Sequence, residues 1–266
     1  MPRYRYLLTE TAHGVQTITL NRPEKRNALS PEMMEELSAA LHQAAGDESG
    51  VVILTGKGPA FSAGLDMEHI AEEHGHNPEE ARHDAEIMAH MLRTLYEFPK
   101  PVIAAVNGPA IAGGMSLATI PDFTLATPEA KFGFTEVKVG FVPAIVATFL
   151  LRQVGELRTR ELLLSGRMVK AHEAYHLGLV TQIVSSAEEL MPTAQALAQQ
   201  LLQNSPHAMH EVKRLLAKHA QQRLDHELEE AINAAVEQRS AEDFREGVKA
   251  FVEHRKPEWP SLHAKV

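Results

Sequence analysis

The sequence predicts a mixed α/β (α+β) domain continued by a helical C-terminal region, and two observations carry that expectation. Short, wholly apolar runs at residues 51–55 (VVILT) and 102–106 (VIAAV) recur between stretches of helical spacing, as expected of strands covered on both faces. After about Val184 the character changes. From Ala187 onward the pattern is almost entirely helical, interrupted at Asn204-Ser205-Pro206 and near Ser240. The division is drawn at residue 200, giving a core of residues 1–200 and a helical region of residues 201–266.

In chain order, residues 4–9 and 15–20 alternate or run β-branched around His13-Gly14, which predicts an antiparallel hairpin. Ser30 caps a helix with Pro31 at its first position, reaching about Ala45. Gly56-Lys57-Gly58-Pro59 ends the strand over 51–55. The charged, His-rich stretch 68–83 reads as an exposed loop or frayed helix, followed by a helix to Tyr96 that Pro99 and Pro101 stop. Strands are also expected over 123–126 and 180–184, with helices between.

Composition excludes several classes of function. The chain has 266 residues and no cysteine, which removes thiol catalysis, disulfides and Cys-ligated zinc and fits a reducing cytoplasm. A net charge of −9 disfavours nucleic acid as a partner. Residues 1–5 have no signal-peptide run behind them, and no stretch approaches the roughly 20 apolar residues of a membrane span. A soluble intracellular protein is expected. Walker, nucleophile-elbow and dinucleotide glycine motifs are absent from the sequence.

Two places repeat one arrangement of buried strand, small-residue turn and expected helix start. The first runs into Phe61-Ser62-Ala63-Gly64-Leu65-Asp66, the second through Asn107-Gly108 to Gly113-Gly114. Amides at a helix start lack intrahelical acceptors, and two aimed at one point can stabilise a negative oxygen. A glycine turn alone equally serves tight packing.

These turns, with their flanks, resemble the crotonase superfamily of enoyl-CoA hydratases and isomerases. The resemblance spans residues 4–259. It rests on residues 21–30 (NRPEKRNALS), 61–66 (FSAGLD), 100–108 (KPVIAAVNG) leading to Gly113-Gly114, and 130–133 (AKFG) with Glu136. Gly166-Arg167, Glu173-Ala174, Gly178-Leu179-Val180 and 251–256 (FVEHRK) complete it. The resemblance implies a spiral of ββα units forming two roughly perpendicular sheets, and a helical C-terminal region used to build homotrimers or homohexamers. It implies an acyl-CoA thioester as substrate, with coenzyme A present as part of that substrate and no permanent cofactor or metal. The oxyanion amides fall on Leu65 and Gly113. The coenzyme A contacts fall on Arg22, Lys25, Asn27, Ala28, Ala63, Asp66 and Met67, with Arg26 adding local positive charge. Where relatives often carry a coenzyme-reaching lysine this chain has His254, followed by Arg255 and Lys256.

Of the two glutamates that hydratases of this family use, one aligns with Glu136 and the other with Ser116. Serine does not act as a general base near neutral pH. One carboxylate suits a proton shuttle between two carbons, so Δ3-to-Δ2 enoyl-CoA isomerisation is favoured over hydration by Glu136 alone. Dienoyl isomerases and dehalogenases of the family place an aspartate near Ala144, which disfavours their mechanism here. Two readings outside this chemistry are weighed beside it: a non-catalytic coenzyme A-binding trimer, and a zinc peptidase built on His172-Glu173-Ala174-Tyr175-His176, which has the H-E-x-x-H spacing. His74-Gly75-His76 is expected in a solvated loop, and His90 as a partly buried structural histidine in preference to one facing the acyl pocket.

Overall fold

A computed structural model of the protein describes residues 4–72 and 77–262; His74 and His76 lie outside the described residues. Strands β1 (Leu7–Ala12) and β2 (Val15–Leu20) pair antiparallel across His13 and Gly14, whose φ values are 51° and 76°. Positive φ at both central residues gives the hairpin turn whose twist matches its strands. The first strand begins later than its sequence pattern suggests because the Arg5 and Tyr6 N–H groups donate to the Glu36 carboxylate, both at 2.8 Å. Helix α1 (Pro31–Gly46) starts where Ser30 Oγ accepts the Met33 N–H.

Next come β3 (Val51–Gly56), α2 (Met67–Glu72), α3 (Pro78–Tyr96), β4 (Val102–Val106), the two-residue β5 (Ala110–Ile111) and α4 (Gly113–Thr119). They are followed by β6 (Phe123–Ala126), β7 (Lys131–Gly133), a 3-10 turn (Glu136–Val139) and α5 (Ala144–Ser165), which Gly155 kinks at φ 72° and ψ 172°. Then come β8 (Val169–Lys170), α6 (Ala171–His176), β9 (Gln182–Ile183), α7 (Leu190–Leu201), α8 (Pro206–Arg239) and α9 (Glu242–Val252).

One sheet has the order β1-β2-β3-β4-β6-β9, parallel from β2 onward. Its central strands are buried on both faces, which is why their sequences are uniformly apolar. Val52, Leu54, Val102, Ala104 and Val106 enter the larger core with α1 and α3, while Val51, Ile53, Ile103 and Ala105 pack under Leu190, Ala194 and Ala198 of α7. The second sheet has the order β5-β7-β8; β5 pairs parallel with β7 (Ala110 with Phe132, Ile111 with Gly133), and β8 closes it antiparallel.

The expected strand over 180–184 shrinks to β9, because the Leu179 and Val180 N–H groups both donate to Ala174 O, closing the end of α6. In the helical region, α8 sends Leu224, Leu228, Ala231, Ile232 and Ala235 into the larger core, against α3 and α5. The mixed α/β architecture, two sheets and helical C-terminal region agree with the fold class the sequence predicts. Among the described residues no helix is long and apolar enough to cross a membrane.

Candidate active site

The two glycine turns lie side by side. Ser62 O accepts the Ile111 N–H at 2.9 Å, and Ser62 and Ala110 form a parallel bridge. A Cβ on Gly64 (φ +83°) would stand 2.7 Å from Ile111 O, and one on Gly114 2.6 Å from Ser62 O. Only glycine permits this approach.

The second turn starts a helix as expected: Gly113 opens α4, and Ala112 before it is held at φ 53° and ψ −127°. That conformation is costly for a residue with a side chain. The Ala112 N–H donates to Gly133 O at 2.7 Å, tying the turn to β7. The first turn differs from expectation. Leu65 pairs with Leu29, through Leu29 N–H to Gly64 O (2.7 Å) and Asp66 N–H to Leu29 O (3.1 Å), and α2 begins only at Met67. Backbone pairing with residues 26–29 therefore replaces a helix start at Leu65. Among the described residues neither the Leu65 N–H nor the Gly113 N–H has a protein acceptor.

Both residues line one narrow cavity of about 40 Å³, together with Glu136 at the start of the 3-10 turn. Glu136 is buried, and its Oε2 has no hydrogen-bond partner. Burial raises its carboxyl to about 7, against a smaller lowering by its own backbone N–H. A carboxylate poised near neutrality can both take and return a proton. The other carboxylate on this wall, Asp84, is neutralised by Arg239 at 2.8 Å. Ser116 is buried within α4 and is not among the residues lining the cavity.

The residues expected at coenzyme A form one loop cluster, and much of their hydrogen bonding is internal. Asn27 is fully buried; its Oδ1 accepts the Arg22 N–H, and its Nδ2 donates to Lys57 O, Ala60 O and Phe61 O. Arg22 Nη1 reaches Asp66 Oδ2 at 2.6 Å and Ala28 O at 3.2 Å. Asp66 Oδ1 also accepts the N–H groups of Glu68 and His69, capping α2. Burial alone would raise the Asp66 carboxyl, but the hydrogen bond and charge of Arg22 hold it below its ordinary value. Lys25 pairs with Glu68, so two of the three cations expected to offer positive charge are matched by acids. The Ala63 N–H donates to Arg26 O, and Met67 opens α2, half-buried. Near the C-terminal end, Arg255 is held by Glu246 and Glu253, and Lys256 is exposed.

Other expectations change. His90 is exposed and stacks on His42 at 5.9 Å, away from the cavity lining. In the H-E-x-x-H stretch, Glu173 pairs with Arg167 at 2.6 Å and His176 Nδ1 lies 2.6 Å from His172 O. No group of three or more His, Cys, Asp or Glu side chains among the described residues is arranged to hold a metal. The cavity lining from 84 to 88 lies on α3 and that from 141 to 146 leads into α5, and Ala235 and Arg239 of α8, which sequence reasoning missed, complete that wall. A signal existed. Arg239 continues the buried stripe Leu224, Leu228, Ala231, Ile232, Ala235, where an unpaired arginine would be out of place.

Comparison with known proteins identifies the family. The family profile for enoyl-CoA hydratase/isomerase matches residues 10–262. A putative enoyl-CoA hydratase of Thermus thermophilus is 44% identical over 204 residues, covering 76% of this chain and 80% of the relative. A 1,2-epoxyphenylacetyl-CoA isomerase of Escherichia coli is 34% identical over 227 residues, covering 84% and 86%. The crystal structure of an enoyl-CoA hydratase/isomerase from Xanthobacter autotrophicus superposes with a TM-score of 0.86 at 33% identity, covering 99% of this chain and 100% of that one. The chain belongs to the enoyl-CoA hydratase/isomerase family, within the crotonase superfamily, and is an enzyme acting on acyl-CoA.

Proposed function

We propose that the enzyme shifts the double bond of a fatty or branched 3-enoyl-CoA to the 2-position, with Glu136 carrying the proton. The ionised carboxylate removes a proton from C2, charge collects on the thioester oxygen, and the Leu65 and Gly113 N–H groups hold that oxygen. Glu136 then returns the proton to C4 and is ionised again, so one carboxylate completes the cycle. The observation that carries this reading is the isolation of Glu136: it is the one unpaired carboxylate among the residues lining the cavity, and the position that aligns with the second glutamate of the family's hydratases is Ser116, which carries no acid.

A second reading, hydration of a 2-enoyl-CoA by Glu136 alone, is favoured by the Thermus relative named a putative enoyl-CoA hydratase. In either case the nucleotide end of the substrate is placed on the loop cluster of Arg22, Lys25, Asn27, Ala28, Ala63, Asp66 and Met67. The working form is a homotrimer or homohexamer in the cytoplasm. Incubation with trans-2- and trans-3-enoyl-CoA of several lengths, followed by mass spectrometry, separates the readings. Unchanged mass with a moved double bond supports isomerisation, whereas gain of one water overturns it in favour of hydration.

A further inference from the structure

The cavity wall contains a buried ion pair that the proton shuttle does not use. Asp84 on α3 and Arg239 at the end of α8 are each 8% exposed in their side chains, and Arg239 Nη1 donates to Asp84 Oδ2 at 2.8 Å. Their neighbours on that wall include Ala85, Met88, Ile145, Val146 and Ala235. Among the described residues this is the only hydrogen bond either side chain makes, so Asp84 Oδ1 and the other guanidinium N–H groups have no protein partner. A buried pair repays its desolvation only when its remaining donors and acceptors are also satisfied, and apolar side chains of similar volume would hold two helices as well or better. Nor is the pair needed to join α3 to α8. Arg82 with Glu229 and Arg93 with Asp225 already do so on the exposed side.

Its position along the cavity follows from α3. A Cβ on Gly113 would stand 2.9 Å from Met88 Cε, so the Met88 tip touches the oxyanion turn. Asp84 lies four residues before Met88 on the same face of α3, about 6 Å farther along the axis. If Gly113 holds the thioester oxygen, the pair meets the acyl chain a few carbons beyond it.

We propose that Asp84 and Arg239 together are specificity determinants that select an acyl chain bearing a hydroxyl group a few carbons from the thioester over the plain alkyl chain. A hydroxyl accepts from the spare guanidinium N–H and donates to Asp84 Oδ1, satisfying both. A carboxylate would add unmatched charge to a pair already neutral, and an alkyl end would leave both groups unsatisfied. This inference rests on reading the cavity as the acyl site of an enoyl-CoA enzyme.

The test compares kcat/KM for trans-3-enoyl-CoA esters in pairs of equal chain length, with and without a terminal hydroxyl. Wild-type enzyme should prefer the hydroxylated ester by about tenfold or more at one length. The double variant Asp84→Leu/Arg239→Met, which avoids leaving a lone buried charge, should reverse that preference. Equal or better use of the plain ester by wild type at every length overturns the proposal. So does a double variant that folds and keeps the wild-type ratio, because the pair then serves only to hold the helices. Should the double variant not fold, calorimetric binding of the paired saturated esters to wild type decides: tighter hydroxyl-ester binding supports the proposal, and equal binding overturns it. Turnover of plain esters without hydroxyl preference sinks this inference alone; if wild type leaves both kinds unchanged, the isomerase reading fails, and calorimetric binding of the paired saturated esters then decides this inference separately.

Discussion

Asp66 in the loop cluster and Glu136 in the cavity expose similar small fractions of their surface, 6% and 7%, but Glu136 is surrounded much more deeply, and their acidities move in opposite directions. Asp66 meets a guanidinium and two backbone N–H groups, which outweigh its burial, and the result is a fixed anion that caps a helix. Glu136 meets no cation, and one of its oxygens has no partner, so burial decides. Small exposed surface alone therefore does not set a carboxyl's acidity; how deeply it is surrounded and which partners meet it do.

The contrast is broken most strongly by Glu136→Gln. Turnover of 3-enoyl-CoA should fall by about 10²–10⁴ with little change in binding of the coenzyme A ester. Steady-state kinetics beside calorimetry checks this, and unchanged turnover would remove Glu136 from the mechanism. Second, if ionised Glu136 is the base, kcat/KM should decline about tenfold per pH unit below about 7, near a hundredfold by pH 5. A flat profile over that range contradicts the assignment.

The same shift has a stability consequence. The folded-state value lies above the ordinary 4.5, so between about 4.5 and 7 the native protein binds more protons than the unfolded chain. The stability this contributes is complete below the unfolded value and lost as pH rises through the folded one. Glu136→Gln should therefore be more stable than wild type at pH 8 by up to about 3 kcal/mol, and nearly equal to it at pH 4.5. Urea unfolding at the two pH values measures the difference. The smallest expected effect is on the other acid. Asp66→Ala removes the α2 cap and leaves Arg22 without its carboxylate, at a cost of about 1–3 kcal/mol. Because the Asp66 value is lowered, its contribution is present above the unfolded value and lost as pH falls through the folded one. A gap between variant and wild type that persists in acid would show that the carboxylate charge is not the cause.

The sequence made the central strands visible because both their faces are covered, leaving β3 and β4 uniformly apolar. It marked the glycine turns because no other residue fits where Gly64 and Gly114 meet backbone. Elements of two or three residues, such as β5, β7, β8 and β9, are too short to show a period. The pairing of Leu65 with Leu29, in place of a helix start, depends on a loop 36 residues earlier in the chain. Arg22 and Lys25 read as available cations because Asp66 and Glu68, their partners, are distant in sequence. The Asp84–Arg239 pair joins positions 155 residues apart, so although the buried stripe of α8 marks Arg239 as out of place, nothing near it in sequence names its partner.

The short ladder between Ile111 and Gly133 has a further consequence. With the Ala112 N–H bound to Gly133 O, the segment presenting the Gly113 amide and the segment leading three residues on to Glu136 are bolted together through main-chain bonds. Side-chain replacement along the lining can therefore reshape the cavity while the spacing between Glu136 and the Gly113 amide survives, so that under the proposed mechanism reactive geometry and substrate range can vary independently.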